Sequence, residues 1–418
     1  MDQVRKGERR TDPEGPRPLA DAILRLIWRE KRISRADIAE QGGLSRSTVS
    51  EVVSEILPMG LVAEVGLGKS RGGRRPVLLE FQDAACVILG VEMGAAHVDV
   101  ALTDLRGRVL SWQHRKHPVR TDPEGTRALI AELCDACLAE SPDRSLPLVG
   151  IGVALPCPFD PARPDELSAI VLPEWNGQLG LAGLGERYGV PVMVDNDANL
   201  GALAEHWWGA GRGFEDFAYI KVATGIGSGH IIGGEIYRGA TGVAGEIGHT
   251  SIDPNGKPCI CGLNGCLVTL VGTQALLERA EELLAEFPDS EFAAGERGIR
   301  ELEAAARRGD ALALMIVREA AGHLGTVVAG LLNLMNPSMV VIGGDLSDVG
   351  ELLLEPLRET AQGRTLVRSI TASEIRVSEL GPKSVAIGAA TLVLKAALAD
   401  SSLFPAIAVE SEVATSGQ

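Results

Sequence analysis

Phe217-Ala218-Tyr219-Ile220-Lys221-Val222-Ala223-Thr224, then Gly225-Ile226-Gly227-Ser228-Gly229, then His230-Ile231-Ile232-Gly233-Gly234-Glu235-Ile236, is the stretch that decides the fold. β-branched and aromatic residues dominate both flanks, and the glycines between them permit a tight reversal. The expected unit is a strand Phe217–Thr224, a turn Gly225–Gly229 and a return strand from His230 to Ile236. The same plan occurs earlier in the chain. Val87 to Met93 reads as an apolar strand, Gly94-Ala95-Ala96 as a turn and His97 to Thr103 as an alternating strand. Asp104-Leu105-Arg106-Gly107 turns again, and Arg108 to His114 is a third strand. Two segments that each open with a glycine-turned hairpin predict a duplicated, two-lobed α/β body of the actin-like (ribonuclease-H-like) kind, its two turns facing each other across a cleft.

Toward the amino terminus the pattern is different. Residues 1–17 read as a disordered tail. An amphipathic helix is expected from Leu19 to Arg29, with Leu19, Ile23, Leu26 and Ile27 on one face. Ser34-Arg35-Ala36-Asp37 reads as a capping box that opens a second short helix, Gly42-Gly43 as a tight turn, and Ser45 as the cap of a third helix ending near Leu57. Val49, Val52, Val53 and Ile56 form that helix's apolar stripe, leaving Arg46, Ser47, Ser50 and Ser54 outward. Two strands, Leu61–Val65 and Val77–Phe81, flank the basic stretch Gly66–Pro76. Three helices followed by a basic hairpin describe a winged helix-turn-helix over residues 18–82. The small side chains of Ser45, Ser47, Thr48 and Ser50 can approach base edges. Arg46 shares that outward face, and the wing residues Arg71, Arg74 and Arg75 can pair with phosphates or enter the minor groove.

The chain has 418 residues, enough for two or three domains with sizeable cores. Its net charge of −16 excludes a protein that simply coats nucleic acid or an anionic membrane. The charge is uneven: residues 1–80 carry 15 Lys+Arg against 12 Asp+Glu, and the remainder 25 against 44. A slightly basic head on an acidic body suits a DNA module joined to a sensor. The opening residues lack the apolar run of a signal peptide, and the long apolar tract near 311–335 is broken by Arg318, Glu319 and His323, as expected of a core helix. Of seven cysteines, Cys259, Cys261 and Cys266 cluster just after His249. One imidazole and three thiols threaded with glycines match a closed tetrahedral zinc site in a reducing cytoplasm.

Six strings, in this order and spacing, resemble the ROK family (repressors, open reading frames and kinases), repressor branch, over roughly residues 18–398. They are Leu44–Ser50, Gly72-Gly73-Arg74-Arg75-Pro76, Asp195-Asn196-Asp197-Ala198-Asn199, Gly225–Gly229, Gly245-Glu246-Ile247-Gly248-His249 and the cysteine cluster. The resemblance implies a winged helix-turn-helix followed by a two-lobed sugar-kinase-type domain over 86–398, then a flexible tail from 399 to 418. It implies structural Zn2+ held by His249, Cys259, Cys261 and Cys266 in a loop near 245–268. It implies a sugar site formed by Asn176, Asn196, Asp197, Glu246 and His249, with Trp175 bracing the loop before Asn176. The implied protein is a cytoplasmic homodimer or homotetramer that binds operator DNA and represses carbohydrate uptake or catabolism genes. A sugar or sugar phosphate would be its effector, or in some family members a transporter subunit its partner.

The alternative is an ATP-dependent sugar kinase. Asp197 matches the family's catalytic base, and Thr224, Gly225, Gly227, Ser228 and Gly229 match its second phosphate loop. The first loop departs: the kinase pattern is Asp-x-Gly-x-Thr, and here it reads Glu92-Met93-Gly94-Ala95-Ala96. Val341-Ile342-Gly343-Gly344-Asp345 resembles the adenosine-side turn. Without the phosphate-bonding hydroxyl, phosphoryl transfer is not expected and Asp197 is left as a sugar-binding carboxylate. Val268 also stands where family kinases commonly place an acid.

Overall fold

The computed structural model describes residues 18–69, 75–164, 166–293, 296–365 and 373–407. The chain forms two compact units. One comprises residues 1–87 with 145–149 and 394–418; the other comprises 88–144 and 150–393.

The first unit contains α1 (Pro18–Glu30), β1 (Arg32–Ser34), α2 (Arg35–Gly42), α3 (Arg46–Ile56), β2 (Val62–Leu67) and β3 (Val77–Phe81). Ile23, Leu24 and Ile27 of α1 are buried, whereas Leu19 remains 39% exposed. The capping box forms: Ser34 Oγ accepts from Asp37 N at 3.2 Å, and the Asp37 carboxylate accepts from Ser34 N. Gly43 ends α2 at φ 61°, a left-handed conformation that favours glycine. Ser45 Oγ accepts from Thr48 N at 3.1 Å and starts α3, whose Val49, Val52, Val53 and Ile56 are all buried. The sheet order is β1-β3-β2, with antiparallel pairs. These elements fit a winged helix. β1 is an addition to the sequence reading; at three residues it is too short to show a period.

The second unit repeats one topology. Its first sheet uses β4 (Val87–Met93), β5 (His97–Thr103), β6 (Val109–Lys116), β7 (Leu148–Leu155) and β8 (Val192–Asn196), in the order β6-β5-β4-β7-β8. Helices α4 (Pro123–Ala139) and α5 (Ala182–Tyr188) follow in this part of the chain, while α6 (Asp197–Trp208) packs Leu200, Ala202 and Leu203 against Phe217, Tyr219 and Ile231 of the second sheet. Its second sheet uses β9 (Phe217–Val222), β10 (Ile226–Ile232), β11 (Glu235–Tyr237), β12 (Met339–Gly344) and β13 (Glu374–Val377), in the order β11-β10-β9-β12-β13. Between β11 and β13 lie α7 (Val268–Val271), α8 (Thr273–Leu283), α9 (Ile299–Arg308), α10 (Ala311–Met335) and α11 (Glu351–Arg364). Each sheet has its first strand at the centre, a meander of two strands on one side and a parallel pair on the other, so the expected duplication is real.

α12 (Ser384–Ala399) closes the body. Its backbone lies directly on the first sheet: a Cβ at Gly90 would stand 1.9 Å from Ala386 O, and one at Gly152 1.8 Å from Ala389 O. α10 and the segment Gly381–Ala399 are long and apolar enough to cross a membrane, but 56% and 67% of their apolar windows are buried within the fold. α10 sits in the core of the second lobe.

Two expectations change. The reversal after β9 is confined to residues 223–225, and Gly227, Ser228 and Gly229 belong to β10. The β-propensity of the isoleucines extends that strand back to Ile226, where it pairs with Val222. The segment after Ala399, expected to be a flexible tail, begins as a packed turn. Ser401 N donates to Asp21 Oδ1 at 3.0 Å, and Ile407 meets Gly60. Asp21 is 3% exposed, so a buried carboxylate on α1 recruits the backbone of the chain's end.

Candidate functional site

The β8–α6 junction places three polar groups in a row. Asn196 caps α6: its Oδ1 accepts from Ala198 N and Asn199 N, and its Nδ2 donates to Cys157 O at 3.0 Å. Beneath it, buried Asp195 is held by Arg238, whose Nη2 donates to Oδ2 at 2.5 Å. Asp197, the first residue of α6, turns its carboxylate into a cleft of about 880 Å³. Gly94, Asn196, Asp197, Glu246, His249 and Val268 all line this cleft, as do Thr224, Gly225 and Gly227. The expected sugar residues therefore converge, with one exception. Asn176 is exposed at φ 50° and is not among the lining residues, although Trp175 does brace its loop by donating from Nε1 to Val119 O at 2.8 Å. Ser228 and Gly229 also stand apart from the lining: Ser228 is buried and bonds His230 and Gly245 O.

Glycines bring the Glu246 loop to this position. Gly245 lies at φ 102°, and a Cβ there would stand 1.8 Å from Ser228 O. A Cβ at Gly248 would stand 2.2 Å from Ile226 O. The loop thus lies on the backbone of β10 and hands Glu246 and His249 to the cleft. Burial, with repulsion from Asp197, pushes the Glu246 carboxyl up to about 7. Near neutral pH this group can both donate and accept, which suits a vicinal hydroxyl pair. Val268 presents an apolar wall opposite these polar groups.

His249, Cys259, Cys261 and Cys266 bring one donor atom each within 4.8 Å of one another. Cys259 Sγ is 3.4 Å from His249 Nδ1, and Cys261 Sγ is 3.6 Å from Cys266 Sγ. The three cysteines are free thiols, and the bridges Ser251–Cys266 and Pro258–Asn264 hold the loop in register. Three soft thiols and an imidazole in this arrangement fit a tetrahedral borderline-soft metal ion, zinc above all. With Nδ1 on the thiol side, Nε2 is the ring nitrogen left for the cleft.

Lys221 lines the cleft and was not singled out by the sequence reading. It lies in β9, where all six residues are buried. Its ammonium donates to Glu92 Oε1 at 2.6 Å and Asp197 Oδ2 at 2.8 Å, tying the end of β4 to the start of α6. Burial opposes charge at Lys221, but the two carboxylates outweigh it and hold the ammonium well above its usual range. Burial would likewise lift Glu92, yet Lys221 and His97 pull it down to about 2. The available signal was a lone lysine inside an otherwise apolar strand. His97 adds a second obstruction: its ring folds over Gly94, leaving 2.3 Å for a Cβ there.

In the first unit, Ser45, Arg46, Ser47 and Ser50 are exposed, and Thr48 is half-buried. Arg46 and Ser50 line a groove with Arg35, Lys69 and Arg75. Arg71 and Arg74 lie outside the described residues.

Fold and site together define a class: a sugar-kinase-type, two-lobed domain on the same chain as a small unit whose helices and sheet fit a winged helix. The ROK family model matches residues 88–396. The chain belongs to the ROK family. It is 33% identical over 377 residues to a xylose repressor of Caldicellulosiruptor bescii, covering 89% of this chain and 94% of that one. It is 34% identical over 381 residues to the DNA-binding transcriptional dual regulator NagC of Escherichia coli K12, covering 90% and 92%. Among solved structures, a ROK family transcriptional regulator described as a homolog of the E. coli MLC protein matches with TM-score 0.75 and 26% identity over 92% of this chain and 97% of that one. A ROK family glucokinase from Streptomyces griseus, solved with glucose and AMPPNP, matches with TM-score 0.67 and 30% identity over 73% and 98%.

Proposed function

We propose that this protein is a cytoplasmic, sugar-responsive transcriptional repressor of carbohydrate genes. The observation that carries the reading is the joining of two devices on one chain: an exposed, Ser45-capped helix beside a basic groove, and a cleft lined by Asn196, Asp197, Glu246 and His249. Relatives named as repressors match along about nine-tenths of the chain. Zn2+ bound by His249, Cys259, Cys261 and Cys266 would lock the loop that carries Glu246 and set the His249 ring for a sugar hydroxyl. A homodimer places two α3 helices on successive half-sites, and a sugar that binds two conformations unequally shifts operator affinity. A transporter subunit is an alternative effector for the same body.

The geometry also supports the absence of phosphoryl transfer. A general base must accept the proton of the attacking hydroxyl, but Lys221 already occupies Asp197 Oδ2. Ala96 offers no hydroxyl at the first loop. The likeness to a glucokinase favours the second reading, a sugar kinase, which demands sugar-dependent ATP turnover that disappears in Asp197→Asn. The deciding experiment is fluorescence anisotropy of the DNA upstream of this gene, titrated with protein and a panel of sugars and sugar phosphates. Tight binding altered by one sugar, and weakened in Arg46→Ala, supports the repressor. No specific binding, with ATP turnover present, returns the kinase.

A further inference from the structure

A second cavity shares His97, Lys221 and Ala223 with the sugar cleft and reaches the turn after β12. Its wall carries the carboxylates of Glu92, Asp99, Glu303, Asp345 and Asp348 against the side chains of Lys221 and Arg300. Three neighbouring strands concentrate charge at one point. Glu92 of β4 pairs directly with Asp99 of β5, which pairs directly with His114 of β6. Two carboxylates directly opposite each other destabilise an antiparallel pair. Both are only 3% exposed, so water screens them poorly.

We propose that Glu92, His97 and Asp99 form a binding site for a divalent transition-metal cation, separate from the cysteine cluster. One donor atom of each residue lies within 4.8 Å of the other two. His97 Nε2 stands 3.6 Å from Glu92 Oε1 and 3.9 Å from Asp99 Oδ2. Ligands about 2.0–2.2 Å from one ion sit roughly 3–3.6 Å apart, so a small side-chain adjustment completes the triad. His114 Nδ1 lies 2.5 Å from Asp99 Oδ1 and fixes that carboxylate from behind, as outer partners of metal ligands do. A second observation is independent of the triad. Glu303 lines the same cavity, is 4% exposed, and has a buried Oε1 with no hydrogen-bond partner. A buried acceptor left unpaired requires a donor from whatever fills the cavity, and water bound to an ion there would supply one. Lys221 is already shared between Glu92 and Asp197, and Asp99 is faced by the rings of His97 and His114. One imidazole with two carboxylates selects Zn2+, Mn2+ or Co2+ over Mg2+ or Ca2+. An ion here would clamp β4 to β5 at the first loop, where a kinase would instead need open space for phosphate.

The test titrates Co2+ into full-length protein whose cysteine cluster already holds one equivalent of Zn2+. The expected result is a second equivalent whose spectrum lacks thiolate-to-cobalt charge transfer. His97→Gln and Asp99→Asn should each weaken it at least tenfold with circular dichroism unchanged, and Mg2+ should compete poorly. On unmodified protein, Mn2+ should broaden the ring signals of His97 and His114 and spare those of His206. A total of one metal equivalent, a second equivalent indifferent to both variants, or uniform broadening overturns the proposal.

Discussion

Lys221 shows how one side chain redirects a site. In a strand of apolar neighbours it brings a positive charge to two carboxylates and occupies Asp197 Oδ2. Removing one partner from such a buried set leaves uncompensated charge and costs about 3–5 kcal/mol, so the three residues stand or fall together. Gly245 is equally constrained. Its φ of 102° and the 1.8 Å between a Cβ and Ser228 O leave no room for a side chain. Gly245→Ala should lower stability by about 2 kcal/mol or more and weaken sugar binding; thermal unfolding and calorimetric titration together check it. Glu303 carries a pH dependence. Burial, with Asp348 and Asp345 nearby, lifts its carboxyl from 4.5 to about 8. Between those values the folded chain keeps a proton that the unfolded chain has released, so this group's contribution to stability falls as pH rises through the window, by at most about 1.4 kcal/mol per unit. Denaturant midpoints measured from pH 4.5 to 8 should decline less steeply in Glu303→Gln.

Elements were legible wherever local chemistry sufficed to define them. The Ser34 box, the Gly43 terminator and the Ser45 cap each act within four residues, and all form as read. Ser45→Ala should remove about 1 kcal/mol from α3. Hydrogen exchange of the Thr48 amide and its neighbours in the full-length protein should accelerate, while amides of β9 stay protected. The extent of β10 was harder to read. Glycine-rich composition pointed to a five-residue turn, yet pairing with β9 recruits Gly227 and Gly229 into the sheet. Gly229 is there because α6 passes close by: a Cβ would stand 2.2 Å from Ala198 O. An approach between residues 31 apart in the chain leaves no mark on local propensity.

At the scale of the molecule, charge is divided between the two functions. Residues 1–80 carry the small basic excess, while the remainder is strongly acidic and repels a polyanion. Operator binding therefore depends on the few phosphates that the first unit can neutralise. The slope of log affinity against log salt should be modest, near 0.9 for each phosphate neutralised, and should shrink by about one unit in Arg46→Ala. Anisotropy at four salt concentrations measures both. A slope unmoved by Arg46→Ala would show that this residue neutralises no phosphate.

The sequence by itself determined the helix caps of the first unit, the doubled hairpin plan, the cluster of His249 with three cysteines and most of the residues that line the cleft. Each of these is written in short periods, caps or strings of residues close in the chain. Only the tertiary structure decided that Asn176 stands outside the cleft lining, that Lys221 holds Asp197, and that Ser401 bonds Asp21 of α1. It alone set Glu92, Asp99 and His114 in one row. Those facts arise from strand register and from packing between residues tens to hundreds apart, where the partner of a charge is chosen by the fold and not by its neighbours in the chain.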